Sequence, residues 1–286
     1  MSLMFVVKRA MSRNSRKAKL DNFLFSLYLE NEILADYEEG IRALFNECKK
    51  ATEKRLIEHI VSKIKVLSER QVNFALKSMA NKIIDYAGSD PTAVVATSAS
   101  FDPDSSQAVV QLIKPMLRDH SNVEIYNSVP QFLRKLTSYK KCILADEFSG
   151  TGKTIVQRVN VISKDSANRN HDLSIRVLLI SCMSGAKNYI NENGIAVDTE
   201  QELQAGLSSY FTGQQLADAL SAMSDLESRL AKNFNGKPVP ALGYGGAEAL
   251  FSVKNWNAPN SNFPILWWPR NSADKKRKVI FIRSGP

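Results

Sequence analysis

Two neighbouring acids, Asp146 and Glu147, stand between an apolar run, Cys142-Ile143-Leu144-Ala145, and a glycine-bearing stretch, Phe148-Ser149-Gly150-Thr151-Gly152-Lys153-Thr154, which leads into an amphipathic segment. This order of residue types suits the holding of a phosphorylated sugar. Carboxylates at the carboxyl end of a buried strand accept hydrogen bonds from the two vicinal hydroxyls of a ribose. A glycine-rich turn lets successive backbone N–H groups face a phosphate, and a helix beginning near Thr154 adds its positive dipole end and unpaired N–H groups. The hydroxyls of Thr151 and Thr154 can donate as well.

The elements that must position these residues follow from hydrophobic periodicity. From about 20 to 86 apolar residues recur at helical spacing, as in Leu56, Ile60, Ile64 and Leu67, which predicts an N-terminal helical subdomain over 1–87. After the breaker cluster Gly88-Ser89-Asp90-Pro91, short β-branched runs alternate with longer amphipathic segments. Strands are predicted over 93–97, 123–126, 141–145 and 175–181, and helices over 106–117, 130–136, 154–162 and 213–233. That alternation implies an α/β core over 88–286, a mainly parallel sheet flanked by helices. A strand-like run, Val279-Ile280-Phe281-Ile282-Arg283, closes the chain.

Competing motifs fail on spacing. Gly-Lys-Thr also ends a P-loop, but that pattern needs a glycine five positions before Gly152, where this chain has Glu147. The glycines of Gly243-Tyr244-Gly245-Gly246 do not have dinucleotide-binding spacing and read as a turn. His59, His120 and His171 are scattered, so no metal site and no catalytic triad is assigned. Cys48, Cys142 and Cys182 are odd in number and far apart, which argues against a disulfide framework. No stretch of the 286 residues approaches the ~20 apolar residues of a membrane span, and the opening apolar run is too short for a signal peptide. A soluble, cytoplasmic protein without membrane partners is expected. The net charge of +9 favours anionic partners without naming one.

The run Asp146 to Thr154, DEFSGTGKT, resembles the signature loop of type I phosphoribosyltransferases, in which two acids precede Thr-Gly-x-Thr. The resemblance implies that Asp146 and Glu147 hold the ribose hydroxyls at the catalytic centre. It likewise implies that Ser149, Gly150, Thr151, Gly152, Lys153 and Thr154 hold the 5′-phosphate of phosphoribosyl pyrophosphate, with Mg²⁺ on the diphosphate. Two positions depart from the pattern. The second acid is usually Asp and is Glu147 here, and Gly150 stands where purine-salvage members carry an aspartate facing the base. Beyond this loop the chain resembles a divergent branch of phosphoribosyltransferase-like proteins in bacterial conflict systems, including retron-type anti-phage operons. Asp104-Ser105-Ser106 before a helix, and Asn257-Ala258-Pro259-Asn260 before Phe263-Pro264-Ile265-Leu266-Trp267-Trp268, carry that second resemblance.

Further candidates lie outside the signature. In the family the loop after the first core strand binds pyrophosphate, which here selects Ser98, Ser100, Asp104, Ser105 and Ser106; a capping serine and a proline turn explain the same residues without a ligand. Ser184 and Lys187 follow a buried strand and Trp267 offers a ring, so these three are placed on the base or acceptor side, beside the plainer readings of turn and packing. Lys275-Lys276-Arg277-Lys278 reads as a solvated turn or a nucleic-acid patch. Two functions are carried forward. One is glycosyl or phosphoribosyl transfer, or N-glycosidic cleavage; the other is a nucleotide-sensing regulator without turnover. The conflict-system resemblance adds, as partners, a nucleic-acid-containing defence complex or a DNA-binding partner protein.

Overall fold

The computed structural model describes residues 18–99 and 105–284. Its centre is a five-stranded, wholly parallel sheet in the order β3-β2-β4-β5-β6, built from β2 (Thr92–Ala96), β3 (Val123–Tyr126), β4 (Lys141–Ser149), β5 (Ser174–Met183) and β6 (Ala196–Leu203). The chain moves outward from β2 to β3, then returns across β2 to lay down β4, β5 and β6. The reversal falls between β2 and β4, and a parallel sheet opens a crevice at the carboxyl ends of the strands where its order reverses.

The central strands are continuous apolar runs because both faces are covered. One face, with Ala93, Val95, Cys142, Leu144, Val177 and Leu179, packs under α6 (Val129–Leu133), α7 (Lys153–Asn168) and α8 (Ser184–Glu192). Val94, Ala96, Ile143, Ala145, Leu178 and Ile180 point the other way, under α4 (Glu69–Ala87) and α5 (Ser105–Ile113). The alternation of these residues along each strand is the period of two that a sheet imposes.

A second core lies beside the sheet. Helices α1 (18–30), α2 (Glu38–Glu47) and α3 (Ala51–Lys63) bury Leu24, Leu27, Ile41, Leu44, Leu56, Ile57 and Ile60 against α9 (Gly213–Glu227) and against Phe263, Trp267, Trp268, Ile280 and Phe281. A two-residue ribbon, β7 (Asn233–Phe234) with β8 (Lys237–Pro238), caps this region. A short parallel pair, β1 (Lys65–Leu67) with β9 (Phe251–Val253), ties it to the sheet layer.

Several expectations change here. Leu67, counted in a helical stripe, lies in β1, because Ile64 ends α3 and Lys65 N–H bonds the Leu250 carbonyl at 2.8 Å. Helix α4 lies within 1–87, yet its apolar face covers the sheet, so the boundary of the cores does not fall at 87. Strand β6 was not anticipated: Ala196-Val197-Asp198-Thr199-Glu200-Gln201-Glu202-Leu203 is a polar edge strand with little apolar signal. The helix expected over 213–233 ends at Glu227. The 279–283 run forms no strand; Ile280 and Phe281 instead donate both N–H groups to the Leu266 carbonyl at 2.9 Å. Arg277, placed in a solvated turn, has a side chain only 3% exposed. It donates to both oxygens of Glu47 at 2.9 and 2.7 Å, and to the Trp268 and Ile265 carbonyls at 2.7 and 3.1 Å.

Arg277→Ala removes four bonds at once and leaves two buried carbonyls unpaired. We expect a loss of about 2–4 kcal/mol, read as a lower urea midpoint with an unchanged slope. A second test uses pH. Burial pushes the Glu227 carboxyl up to about 7 from 4.5, although the Leu242 N–H donates to it at 3.0 Å. The folded protein therefore binds more protons than the unfolded chain between those two values, and stability falls as pH rises across that window. Glu227→Gln keeps an acceptor for Leu242 and deletes the buried charge. It should be more stable than the native protein at pH 8 by about 2 kcal/mol and show no gain at pH 4.

Candidate functional site

Strand β4 carries both acids to the reversal in the sheet. Its pairing with β2 ends at Ala96 opposite Ala145, whereas its pairing with β5 continues to Ser149 opposite Cys182. The four residues from Asp146 to Ser149 thus lie beyond the end of β2, where a cleft of about 420 Å³ opens. That volume falls within the ~300–1,000 Å³ of small-molecule sites. Thr97, Ser105, Asp146, Glu147, Ser149, Gly150, Thr151, Gly152, Thr154 and Arg158 line it from the sheet side, and Tyr244, Asn260, Ser261 and Arg283 from the C-terminal segment.

The two acids are held differently. Asp146 accepts from the Thr97 hydroxyl on one oxygen and from the Glu147 N–H, at 2.8 Å, on the other. Arg158 of α7 fixes Thr97 in turn, its Nε donating to the Thr97 carbonyl at 3.0 Å. Glu147 is 8% exposed, and its Oε2 is buried without a hydrogen-bond partner. Burial first, then the charge of Asp146, holds the Glu147 carboxyl well above the usual carboxylate range. The two adjacent carboxyl groups therefore sit in unlike surroundings, Asp146 with two donors and Glu147 with a buried oxygen that has none.

The 149–154 turn enters α7 through Gly152, at φ 75°, and no side chain caps this helix. Its first-turn N–H groups and dipole end therefore face the cleft beside Thr151 and Thr154. Lys153 is exposed and does not line the cleft. Gly150 has a steric reason: a Cβ there would fall 2.1 Å from Ser261 Oγ. The C-terminal segment closes over the turn and fills the space that a side chain at 150 would need. Gly243 makes the companion approach, at φ 84°, where a Cβ would fall 2.0 Å from the Ser261 carbonyl oxygen.

The other candidates separate. Ser105 opens α5 and lines the cleft; Ser98 and Ser106 are buried and do not line it, and the Ser98 carbonyl accepts from Val129 N–H at 3.1 Å. Ser100 and Asp104 lie outside the described residues. Ser184 bonds Gln204 at 3.2 Å and Lys187 pairs with Glu202 at 2.7 Å, both away from the cleft lining. Trp267 is 2% exposed and donates its indole N–H to the Asn262 carbonyl, so it offers no face to a base. Among the described residues no group of three or more His, Cys, Asp or Glu could hold a metal, and no helix is long and apolar enough to cross a membrane.

Sequence reasoning missed Arg158, Tyr244, Ser261 and Arg283. Tyr244 sits in the glycine run read as a turn; it is a turn, but one laid against the cleft, with Tyr244 N–H bonded to the Asn260 carbonyl at 2.9 Å. If the fit of Ser261 over Gly150 dictates the glycine, Gly150→Ala should cost about 1–3 kcal/mol through overpacking. Adding Ser261→Gly should recover most of that loss, as read by urea midpoints of the two singles and the double.

Residues 44–283 match the PRTase-CE family. No curated protein matches the chain. Among solved structures it is similar to a hypothetical protein from Neisseria gonorrhoeae with bound ppGpp, at 11% identity and a TM-score of 0.36 over 50% of this chain and 85% of that one. It is also similar to orotate phosphoribosyltransferase from Aeropyrum pernix, at 9% identity and a TM-score of 0.30 over 45% of this chain and 69% of that one. The matched span contains the sheet, the acid pair, the 149–154 turn and the C-terminal wall as far as Arg283, and on it the chain belongs to the PRTase-CE family.

Proposed function

We propose that the cleft binds a phosphorylated ribose, phosphoribosyl pyrophosphate or a nucleotide, and that the protein catalyses glycosyl or phosphoribosyl transfer or N-glycosidic cleavage. The observation that carries this reading is the placement of the acid pair and the uncapped start of α7 in one cleft, at the carboxyl ends of β2 and β4. The 5′-phosphate sits on the N–H groups of the 149–154 turn. Asp146 and Glu147 meet the ribose hydroxyls, and the orphaned Glu147 Oε2 gains a donor when local movement admits one.

Departure of a leaving group from C1 develops positive charge on the sugar, and a carboxyl group at Asp146, held in place by Thr97 and the Glu147 N–H, would face that charge without reorganising. Mg²⁺ fits as a companion of the diphosphate. Two carboxylates are too few for an all-protein cage, and this ion is ordinarily held by one or two carboxylates together with phosphate oxygens and water. A second reading, nucleotide sensing without turnover, is favoured by Gly150: with Ser261 filling the space, no carboxylate can face a base from that position. A role in anti-phage defence rests on the resemblance of the sequence alone.

Calorimetry with phosphoribosyl pyrophosphate and Mg²⁺ tests the site. The native protein should release or absorb binding heat, and the double variant Asp146→Ala, Glu147→Ala should lose at least about tenfold in affinity. A native protein silent to phosphoribosyl pyrophosphate, ribose 5-phosphate and nucleoside monophosphates alike overturns the reading. Binding without release of pyrophosphate or free base across an acceptor screen selects the sensor.

A further inference from the structure

The C-terminal wall of the cleft carries a guanidinium that forms no ion pair among the described residues. Arg283 lines the cleft and makes no ion pair with a described carboxylate. One terminal nitrogen donates to the Ala258 carbonyl at 2.6 Å, the guanidinium lies 5.5 Å from the centroid of the Trp267 ring, and Nε is buried without a partner. Burial draws its pKa below the ordinary value, and the Glu147 charge acts against that shift. Arginine stays charged under such pressure. Glu147 is a poor counter-ion, since its own surroundings favour the neutral form.

The backbone under Arg283 is fixed rather than loose. Ala258 N–H donates to the Ile282 carbonyl at 3.1 Å, and Ser284 N–H donates to Asn257 Oδ1 at 2.7 Å, so the residues on either side of Arg283 are pinned to the 257–258 stretch. A pre-positioned, partly desolvated guanidinium at a ligand cleft is a site for an oxyanion, because only an anion offsets the cost of its burial.

We propose that Arg283 binds the oxyanion at the C1 end of the ligand, the diphosphate or the pyrophosphate that leaves, while the start of α7 holds the 5′-phosphate. This deepens the phosphoribosyl reading above and rests on it. The assignment gives the C-terminal segment a part in distinguishing a sugar with two charged ends from one with a single phosphate.

Calorimetry with ribose 5-phosphate, with phosphoribosyl pyrophosphate and Mg²⁺, and with inorganic pyrophosphate and Mg²⁺, on native, Arg283→Gln and Arg283→Lys proteins, tests it. Arg283→Gln should weaken phosphoribosyl pyrophosphate and pyrophosphate about tenfold or more and leave ribose 5-phosphate within about twofold. Arg283→Lys, which keeps the charge and loses the planar fork, should fall between. Its urea midpoint, compared with the native one, shows whether the wall still folds if Arg283→Gln does not. Unchanged phosphoribosyl pyrophosphate affinity, or equal weakening of both sugar phosphates, overturns the assignment while the phosphoribosyl reading stands. Silence of the native protein toward both sugar phosphates overturns the two together.

Discussion

The pairing of β2 with β4 is the constraint on which the site depends. Because Ala96 is the last residue of β2 opposite Ala145, the next residue on each strand, Thr97 and Asp146, emerges at the same height over the sheet. A shift of one residue would turn Asp146 and Glu147 to opposite faces and bury the wrong acid. The two strands keep this register in step with their packing, Ala93, Val95, Cys142 and Leu144 in one core and Val94, Ala96, Ile143 and Ala145 in the other. The hydrogen bond from Thr97 to Asp146 is thus a consequence of how apolar residues alternate well below the cleft.

The remaining wall is governed by the second core. Glu47 at the end of α2 clamps Arg277, which holds the Trp268 and Ile265 carbonyls; the neighbouring Leu266 carbonyl receives the N–H groups of Ile280 and Phe281, two residues before Arg283. The N-terminal helices thereby fix the height at which Ser261 meets Gly150 and Arg283 meets the cleft. Their contribution to the site is mechanical, transmitted through the half-buried Glu47–Arg277 pair and backbone bonds, since no residue of α1, α2 or α3 lines the cleft.

Much of this was legible in the chain. The acid pair, the turn at 149–154 and the helix after it are local, so residue order and spacing suffice to place them, and the β-branched runs announce the inner strands. Edge strand β6 was not legible because its residues are mostly polar and half-covered, and a polar strand and a loop have the same composition. Arg158 and Arg283 were not legible for a different reason: each is one cation among 38 basic residues, and its proximity to Asp146 or Glu147 is created by tertiary packing across more than ten or more than a hundred positions. Trp267 misled in the other direction. An aromatic near the C-terminus suggests a stacking surface, but a ring that donates to a buried carbonyl is committed to the core.

The cleft holds its polar groups at a cost to stability. Glu147 has a buried oxygen without a partner and Arg283 a buried nitrogen without one, and each such group costs about 1–3 kcal/mol. A chain selected for stability alone would pair them with each other or replace them with apolar residues, as it has paired Glu47 with Arg277 and Glu53 with Arg229 elsewhere. An unpartnered carboxyl oxygen and an unpartnered guanidinium nitrogen at one cleft are what a site looks like when its missing partner is a ligand carrying both hydroxyl donors and an oxyanion. The sheet register supplies the first group and the helical layer the second, so the ligand proposed above would complete hydrogen bonding across the seam between the two cores.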